Sequence, residues 1–243
     1  MPVPINTMGV FKKSFENSHS KAVWCLRGGY GSQKLMEWFK DKPSHKKLFI
    51  GLSDATAIHL RLNKWGWPSL HGPFVSDIPR LSKKDQENLR QILFGERKEQ
   101  CFNNLRVFHP SKKKILKAPL IGGNLTVIQT SLGCSWVPGF SSHFLFLEDV
   151  NEEAYRLDRA LHQLFFAGAL KGVKALILGS FHPAKSAQIH KVLNSLSEFL
   201  KIPVVTGLPC GHIKNNQPLP FKTACELHFV KNTKACLKVR FPF

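Results

Sequence analysis

Short apolar runs that stop at glycine or a small polar residue, each followed by helical periodicity, recur along this chain. Ala22 to Leu26 run into Arg27-Gly28-Gly29-Tyr30-Gly31-Ser32, and a helical pattern follows from Gln33 to Phe39. Leu48 to Ile50 repeat the arrangement: Gly51 ends the run and helical periodicity begins at about Asp54. A third short strand is predicted from Ser69 to His71, ahead of Gly72-Pro73. Strands alternating with helices in this way predict a parallel sheet with right-handed crossovers. Ser82 to Leu93 reads as a polar helix, and the charged, weakly periodic stretch up to about Lys117 reads as a connector between domains. Beyond Pro119-Leu-Ile-Gly-Gly-Asn124 the pattern predicts a helix over 125–132 and an apolar strand over 144–147 that ends in Glu148-Asp149. A long helix over 153–167, a strand over 173–179 and a helix over 186–200 come next. A short strand over 203–207 closes on Leu208-Pro209-Cys210-Gly211-His212, and Ala224 to Phe243 alternate like β structure.

The expected fold class is therefore α/β, in two domains. Residues 1–75 form an N-terminal parallel-sheet domain, 76–117 a helical and charged connector, and 118–243 a C-terminal α/β domain with a β-rich end. A length of 243 residues is enough for a substantial core in such an arrangement. No apolar stretch approaches the ~20 residues of a membrane span, and Met1-Pro2-Val3-Pro4 lacks the layout of a secretion signal, so a cytoplasmic protein with no membrane partner is expected.

Net charge changes the picture more. With 35 Lys and Arg against 16 Asp and Glu, the formal charge is +19, which raises nucleic acid as a partner. The lysines are spread along the chain, however, and the densest run, Lys112-Lys113-Lys114, falls in the expected connector. No helix-turn-helix, zinc-finger or aromatic RNA-binding signature accompanies it. Attraction of anionic small substrates, or solubility, is the preferred reading, and no nucleic-acid partner is expected. The six cysteines show no Cys-x-x-Cys spacing, so neither disulfides nor zinc are expected, and no other metal or cofactor is. Cys210 and His212, two apart, suit neither a tetrahedral metal site nor a self-sufficient nucleophile–base pair.

Candidate chemistry sits just past strand ends, where open parallel sheets place their ligand sites. Ser53 stands at the corner between the second apolar run and its helix, with Gly51 and Ala55 two residues to either side. A sharp strand-to-helix turn needs small residues there, and it lifts a hydroxyl out of the sheet beside a free helix-terminal N–H. Ser is also a preferred helix cap, which is the plainer reading of Ser53. Glu148 and His212 follow later strand ends, in the order serine, acid, histidine. In the functional reading His212 takes the proton from Ser53, and Glu148 accepts from the other ring nitrogen. The N–H of Asp54 with one from Gly28 or Gly29 then holds the oxyanion. Glu148 as a helix-end acid and His212 as a loop residue bonded to backbone remain open alternatives, since spacing alone cannot bring the three together. The Arg27-to-Ser32 loop lacks the Lys-Ser/Thr of a P-loop and the full Gly-x-Gly-x-x-Gly spacing. Ser32 is a rival nucleophile that reads more like a helix cap.

Taken together, Arg27-Gly-Gly-Tyr-Gly-Ser32, Gly51-Leu-Ser-Asp-Ala-Thr-Ala57, His71-Gly-Pro73, Gly122-Gly-Asn-Leu125, Leu145-Phe-Leu-Glu-Asp149, Tyr155-Arg-Leu-Asp-Arg159 and Gly211-His212 resemble the LD-carboxypeptidase family of serine peptidases. Its members include muramoyltetrapeptide carboxypeptidases and microcin C immunity peptidases. The resemblance selects Ser53 as nucleophile, Glu148 as charge-relay acid and His212 as base. It implies a site between the two domains, commonly in a homodimer. The implied reaction is hydrolysis of the amide joining the L-centre of meso-diaminopimelate to a terminal D-Ala in a murein tetrapeptide, during cytoplasmic cell-wall recycling. Two departures stand out. Only 26 residues precede Arg27, fewer than in the family's usual pattern, which implies a misplaced start or a truncated, non-catalytic member with missing strands. Pro220-Phe221-Lys222 replaces the family's usual Pro-Leu-Gly.

Overall fold

The computed structural model describes residues 5–182, 186–231 and 233–242. Its smaller sheet has β1 (Ala22–Trp24), β2 (Leu48–Gly51) and β3 (Ser69–His71) running parallel, as the strand–helix alternation predicts. The larger is a closed barrel built from β4 (Glu99–His109), β5 (Ile115–Asn124), β6 (Phe144–Val150), β7 (Ala175–His182), β8 (Val204–Thr206), β10 (Ala224–Lys231) and β11 (Lys234–Arg240). Strands β5 to β8 are parallel neighbours; β4, β11 and β10 close the circle with antiparallel pairings back to β5. Between β8 and β10 the chain leaves the barrel, and β9 (Leu219–Phe221) pairs antiparallel with β3, so the late chain completes the early sheet.

Helices cover both sheets. Helices α1 (Ile5–Glu16), α2 (Ser32–Leu35) and α3 (Thr56–Lys64) pack on one face of the small sheet, around Phe15, Phe39, Phe49 and Leu62. The other face turns toward the barrel: Ile50, Leu70 and Phe221 share a core with Phe102, Phe146 and Ile177. Successive strand residues point to opposite faces, which is why Phe49 and Ile50 enter different cores. The same rule sends Phe144 and Phe146 into the barrel, and Leu145 and Leu147 out toward α5 (Leu125–Thr130), α6 (Ala154–Phe166) and α7 (Ser186–Leu200). Parallel strands buried on both faces read as unbroken apolar runs, as these do.

The stretch expected to be a connector is only partly one. It holds α4 (Lys83–Leu93), capped by Ser82, whose hydroxyl accepts the Asp85 N–H at 3.1 Å. It also supplies β4, a full barrel strand. Its alternation is masked by a bulge: Asn104 adopts a left-handed φ of 59°, so the buried positions fall at Phe102, Leu105 and Val107 rather than at every second residue. The expected C-terminal β stretch is the β10–β11 hairpin; its residues 232 and 243 lie outside the described residues. At the departure from the family pattern, Lys222 takes a φ of 59°, the backbone shape for which glycine is the natural residue. Its ammonium donates to His143 Nε2 at 2.8 Å.

The two sheets meet most tightly where α3 begins and β5 ends. Gly123 holds a φ of 137°, and a Cβ there would lie 2.3 Å from Thr56 Oγ1. The same hydroxyl accepts the N–H of Asn124 at 2.9 Å. Only a residue without a side chain lets the small sheet approach the barrel this closely. Gly123→Ala is expected to lower the unfolding free energy by about 1–3 kcal/mol, read as an earlier urea midpoint with an unchanged denaturant slope.

Candidate active site

The corner after β2 has the shape its small residues imply. Leu52 is extended, Ser53 turns to a φ of 61°, and Ser53–Ala55 form one 3-10 turn before α3. A left-handed serine is strained by about 1–3 kcal/mol, a cost that active-site turns commonly carry. Gly51 is needed beneath it, because a Cβ there would lie 2.9 Å from both Ala55 Cβ and Cys25 Sγ. The plainer reading of Ser53 as a cap does not hold: Leu52 and Ala55 occupy the cap positions of the turn and of α3, and neither end has a side-chain cap. In this first turn the Asp54 N–H has no intrahelical acceptor. The Asp54 carboxylate reaches sideways and accepts the Ser32 N–H at 2.7 Å, fixing the glycine loop against the corner. Gly31, not Ser32, holds the cap position of α2, so the expected cap at Ser32 is displaced by one residue.

Glu148 and His212 are brought together. His212 Nδ1 donates to Glu148 Oε2 at 2.8 Å, and Glu148 is fully buried. Alternation along β6 separates the two adjacent acids. Asp149 faces α5 and is consumed there: it accepts from Asn124 Nδ2 at 2.9 Å, Thr126 N at 3.0 Å and Thr126 Oγ1 at 2.8 Å. Glu148 faces the His212 loop and does not cap the following helix α6, whose cap position is held by Glu153. Gly211 has a φ of 123°, and a Cβ on it would come within 2.8 Å of Glu148 Oε2. The glycine before the histidine is thus a condition for the pair. Asn216, itself buried, holds the loop shut by accepting the Gly211 N–H at 2.9 Å. Nothing in the chain pattern marks Asn216; it acts through a contact that only the folded loop creates.

Burial pushes the Glu148 pKa up, and the hydrogen bond and charge of His212 offset that only in part. Burial alone would lower His212, but the hydrogen bond and charge of Glu148, with Asp149 and Asp77 behind it, outweigh burial and raise it. The only hydrogen bond of this imidazole among the described residues runs to Glu148, which leaves Nε2 for another partner. His212 lines a cleft of about 520 Å³ together with Gly28, Leu52, Phe74 and Asp77. Gly28, Leu52 and Phe74 also border a neighbouring hollow of about 180 Å³, shared with Gly29 and Asp54. The corner carrying Ser53 lies where these spaces adjoin; Ser53 and His212 are not hydrogen-bonded to each other, and such contacts often tighten only with substrate present. Among the described residues no group of three or more His, Cys, Asp or Glu is placed to hold a metal ion, and no helix is long and apolar enough to cross a membrane.

Residues 7–72 match the sequence pattern of the LD-carboxypeptidase N-terminal domain, and residues 117–227 that of the LD-carboxypeptidase C-terminal domain. The chain belongs to the LD-carboxypeptidase family. A carboxypeptidase-named protein of Rickettsia conorii is 40% identical over 225 residues, covering 89% of this chain and 71% of its own. The murein tetrapeptide carboxypeptidase of Pseudomonas aeruginosa is 30% identical over 232 residues, covering 87% of this chain and 74% of its own. Among solved structures, a muramoyltetrapeptide carboxypeptidase from Oxalobacter formigenes superimposes with a TM-score of 0.79 at 32% identity, covering 95% of this chain and 81% of that one. An MccF-like protein from Bacillus anthracis gives a TM-score of 0.82 at 20% identity, covering 97% and 81%, which shows the shared fold. The chain is therefore a peptidase by family, with the two-domain architecture of that fold.

Because its pKa is raised from 6.5, His212 is expected to titrate above pH 6.5, and Glu148→Gln should bring the midpoint down by removing the charge that holds the proton. Imidazole NMR on both proteins measures this. The sign for stability follows: while Glu148 is ionised, the proton on His212 contributes in full below pH 6.5, and that contribution fades as pH rises through the folded-state value.

Proposed function

We propose that this member of the LD-carboxypeptidase family is a serine carboxypeptidase that releases terminal D-Ala from murein tetrapeptide, with Ser53 as nucleophile, His212 as general base and Glu148 as its orienting acid. The observation that carries the reading is the His212 imidazole bonded at 2.8 Å to a fully buried carboxylate, on a cleft bordered by the residue next to a strained serine. Ser53 Oγ attacks the carbonyl of the L-centre while His212 Nε2 takes its proton. Glu148, accepting from Nδ1–H, fixes the tautomer and stabilises the imidazolium. The free N–H of Asp54 and one from Gly28 or Gly29 face the developing oxyanion. The imidazolium then protonates the leaving D-Ala nitrogen, and water enters by the same route in reverse to release the tripeptide. No step calls for a metal or cofactor.

The division of labour follows the two sheets, with residues 1–75 supplying the nucleophile and 118–243 the acid and base. The microcin-type alternative would use the same three groups on a peptidyl-nucleotide. The murein reading is preferred because relatives of that name share 30–32% identity, whereas the MccF-like fold neighbour shares 20%. A degenerate, non-catalytic protein is disfavoured by the intact His212–Glu148 bond and strained Ser53 corner. A cytoplasmic recycling role and a homodimer accompany the family reading.

Ser53→Ala and His212→Ala are each expected to lower kcat for D-Ala release by roughly 10⁴–10⁶, with the double variant little worse, since the groups act as a unit. Glu148→Ala should cost less. Full activity in Ser53→Ala would end the proposal, and activity lost to EDTA and restored by zinc would replace it with metal-assisted hydrolysis.

A further inference from the structure

A carboxypeptidase must recognise the terminal carboxylate of its substrate as well as cut the last amide. None of the groups named so far does this. Resting on the serine carboxypeptidase reading, we propose that Arg80 and Lys214 form the subsite that holds the carboxylate of the departing D-amino acid.

The placement follows from the two halves of the cleft. The nitrogen of the leaving group must lie beside the imidazole that protonates it, so the leaving residue occupies the His212 half rather than the hollow under the glycine loop. Its carboxylate is only two bonds from that nitrogen, which puts it within reach of long cationic side chains around the same space. Arg80 and Lys214 both line the His212 cleft. Both are exposed, and neither has an ion pair or hydrogen bond among the described residues, so both charges are available to a ligand. A guanidinium matches a carboxylate with two parallel N–H donors, and an ammonium adds a point charge.

Their backbones are held in place. Arg80 ends the 3-10 segment Val75–Arg80, where Pro79 restricts the chain. Gln86 of α4 donates to the carbonyls of Ile78 and Leu81, at 3.1 Å each, on either side of Arg80. Lys214 sits inside the loop that Asn216 closes onto Gly211, and Gln217 N donates to Pro209 O at 2.9 Å across the base of that loop. One carboxylate, Asp77, shares the cleft and would repel an anion if it stood alone. Among the side chains that line the cleft, Arg80 and Lys214 set two cations against Asp77. Leu52, Phe74 and Ile213 in the same wall offer apolar contact suited to the alanine methyl.

The test compares release of D-Ala from murein tetrapeptide with release of D-alaninamide from the same peptide amidated at its C-terminus. Wild type is expected to favour the free acid. Arg80→Ala should lower kcat/KM on the acid by about 10–100-fold, chiefly through KM. It should lose proportionally less on the amide, so that the acid-to-amide preference collapses. Arg80→Lys should restore part of the preference, and Lys214→Ala should erode it by a smaller factor. A preference unchanged in both alanine variants overturns the subsite while leaving the serine mechanism standing. Failure of wild type to cleave the last peptide bond of either substrate overturns the functional reading and the subsite with it.

Discussion

A carboxylate with no exposure to water keeps its charge only if a donor is brought to it, and in this protein the donor is His212. Glu148 lies inside a barrel strand among apolar neighbours, where burial alone drives it toward the neutral acid. The bond from His212 opposes that, and the return effect raises the affinity of the imidazole for its proton. Much of the surrounding structure serves this contact. Gly211 removes the Cβ that would occupy the space of Glu148 Oε2, and Asn216 ties the loop that carries the histidine. Asp149 is diverted to the opposite face, where it organises the start of α5 instead of competing for the imidazole.

In the proposed mechanism a serine borne by the other sheet must reach this pair. The two sheets approach closely near the serine corner, with Thr56 at the start of α3 packed against Gly123 and bonded to Asn124 at the end of β5. Asn124 stands opposite Glu148 in the parallel ladder, so the same few atoms locate the acid and the corner. Strand β9 adds a further tie, because the chain that has just formed the histidine loop returns to pair with β3. The Ser53 corner and the His212 loop are thereby tied through both backbone and packing.

Strand–glycine–helix units with strong periodicity were legible from the chain alone: β2, β3, α4 and α7 fall close to where the apolar pattern puts them. Ser53 and His212 stand out because each follows an expected strand end, and Glu148 because the apolar run 144–147 stops at it; β6 in fact continues to Val150, which places Glu148 within the strand, and the structure joins Glu148 and His212 directly. Strand β4 was hidden because the Asn104 bulge breaks its alternation. Strand β9 was hidden because three residues around Pro220 carry no period to read. Closure of the barrel depends on β10 meeting β5, a pairing between segments a hundred residues apart in the chain, roughly, that no local propensity specifies. Asn216 and the diversion of Asp149 are likewise products of tertiary contact. The Gly122-Gly123-Asn124 motif, visible in the sequence without a role, acquires one only when the two sheets are set against each other.

The central claim is that the Ser53 hydroxyl is activated by the imidazole held on Glu148. A fluorophosphonate probe reads that activation without reference to any substrate, by phosphonylating an activated serine with loss of fluoride. Intact mass spectrometry with peptide mapping should find one adduct on wild type, located at Ser53 and absent from His212→Ala. Labelling at Ser32, or labelling of Ser53 that persists undiminished without the imidazole, would contradict the account.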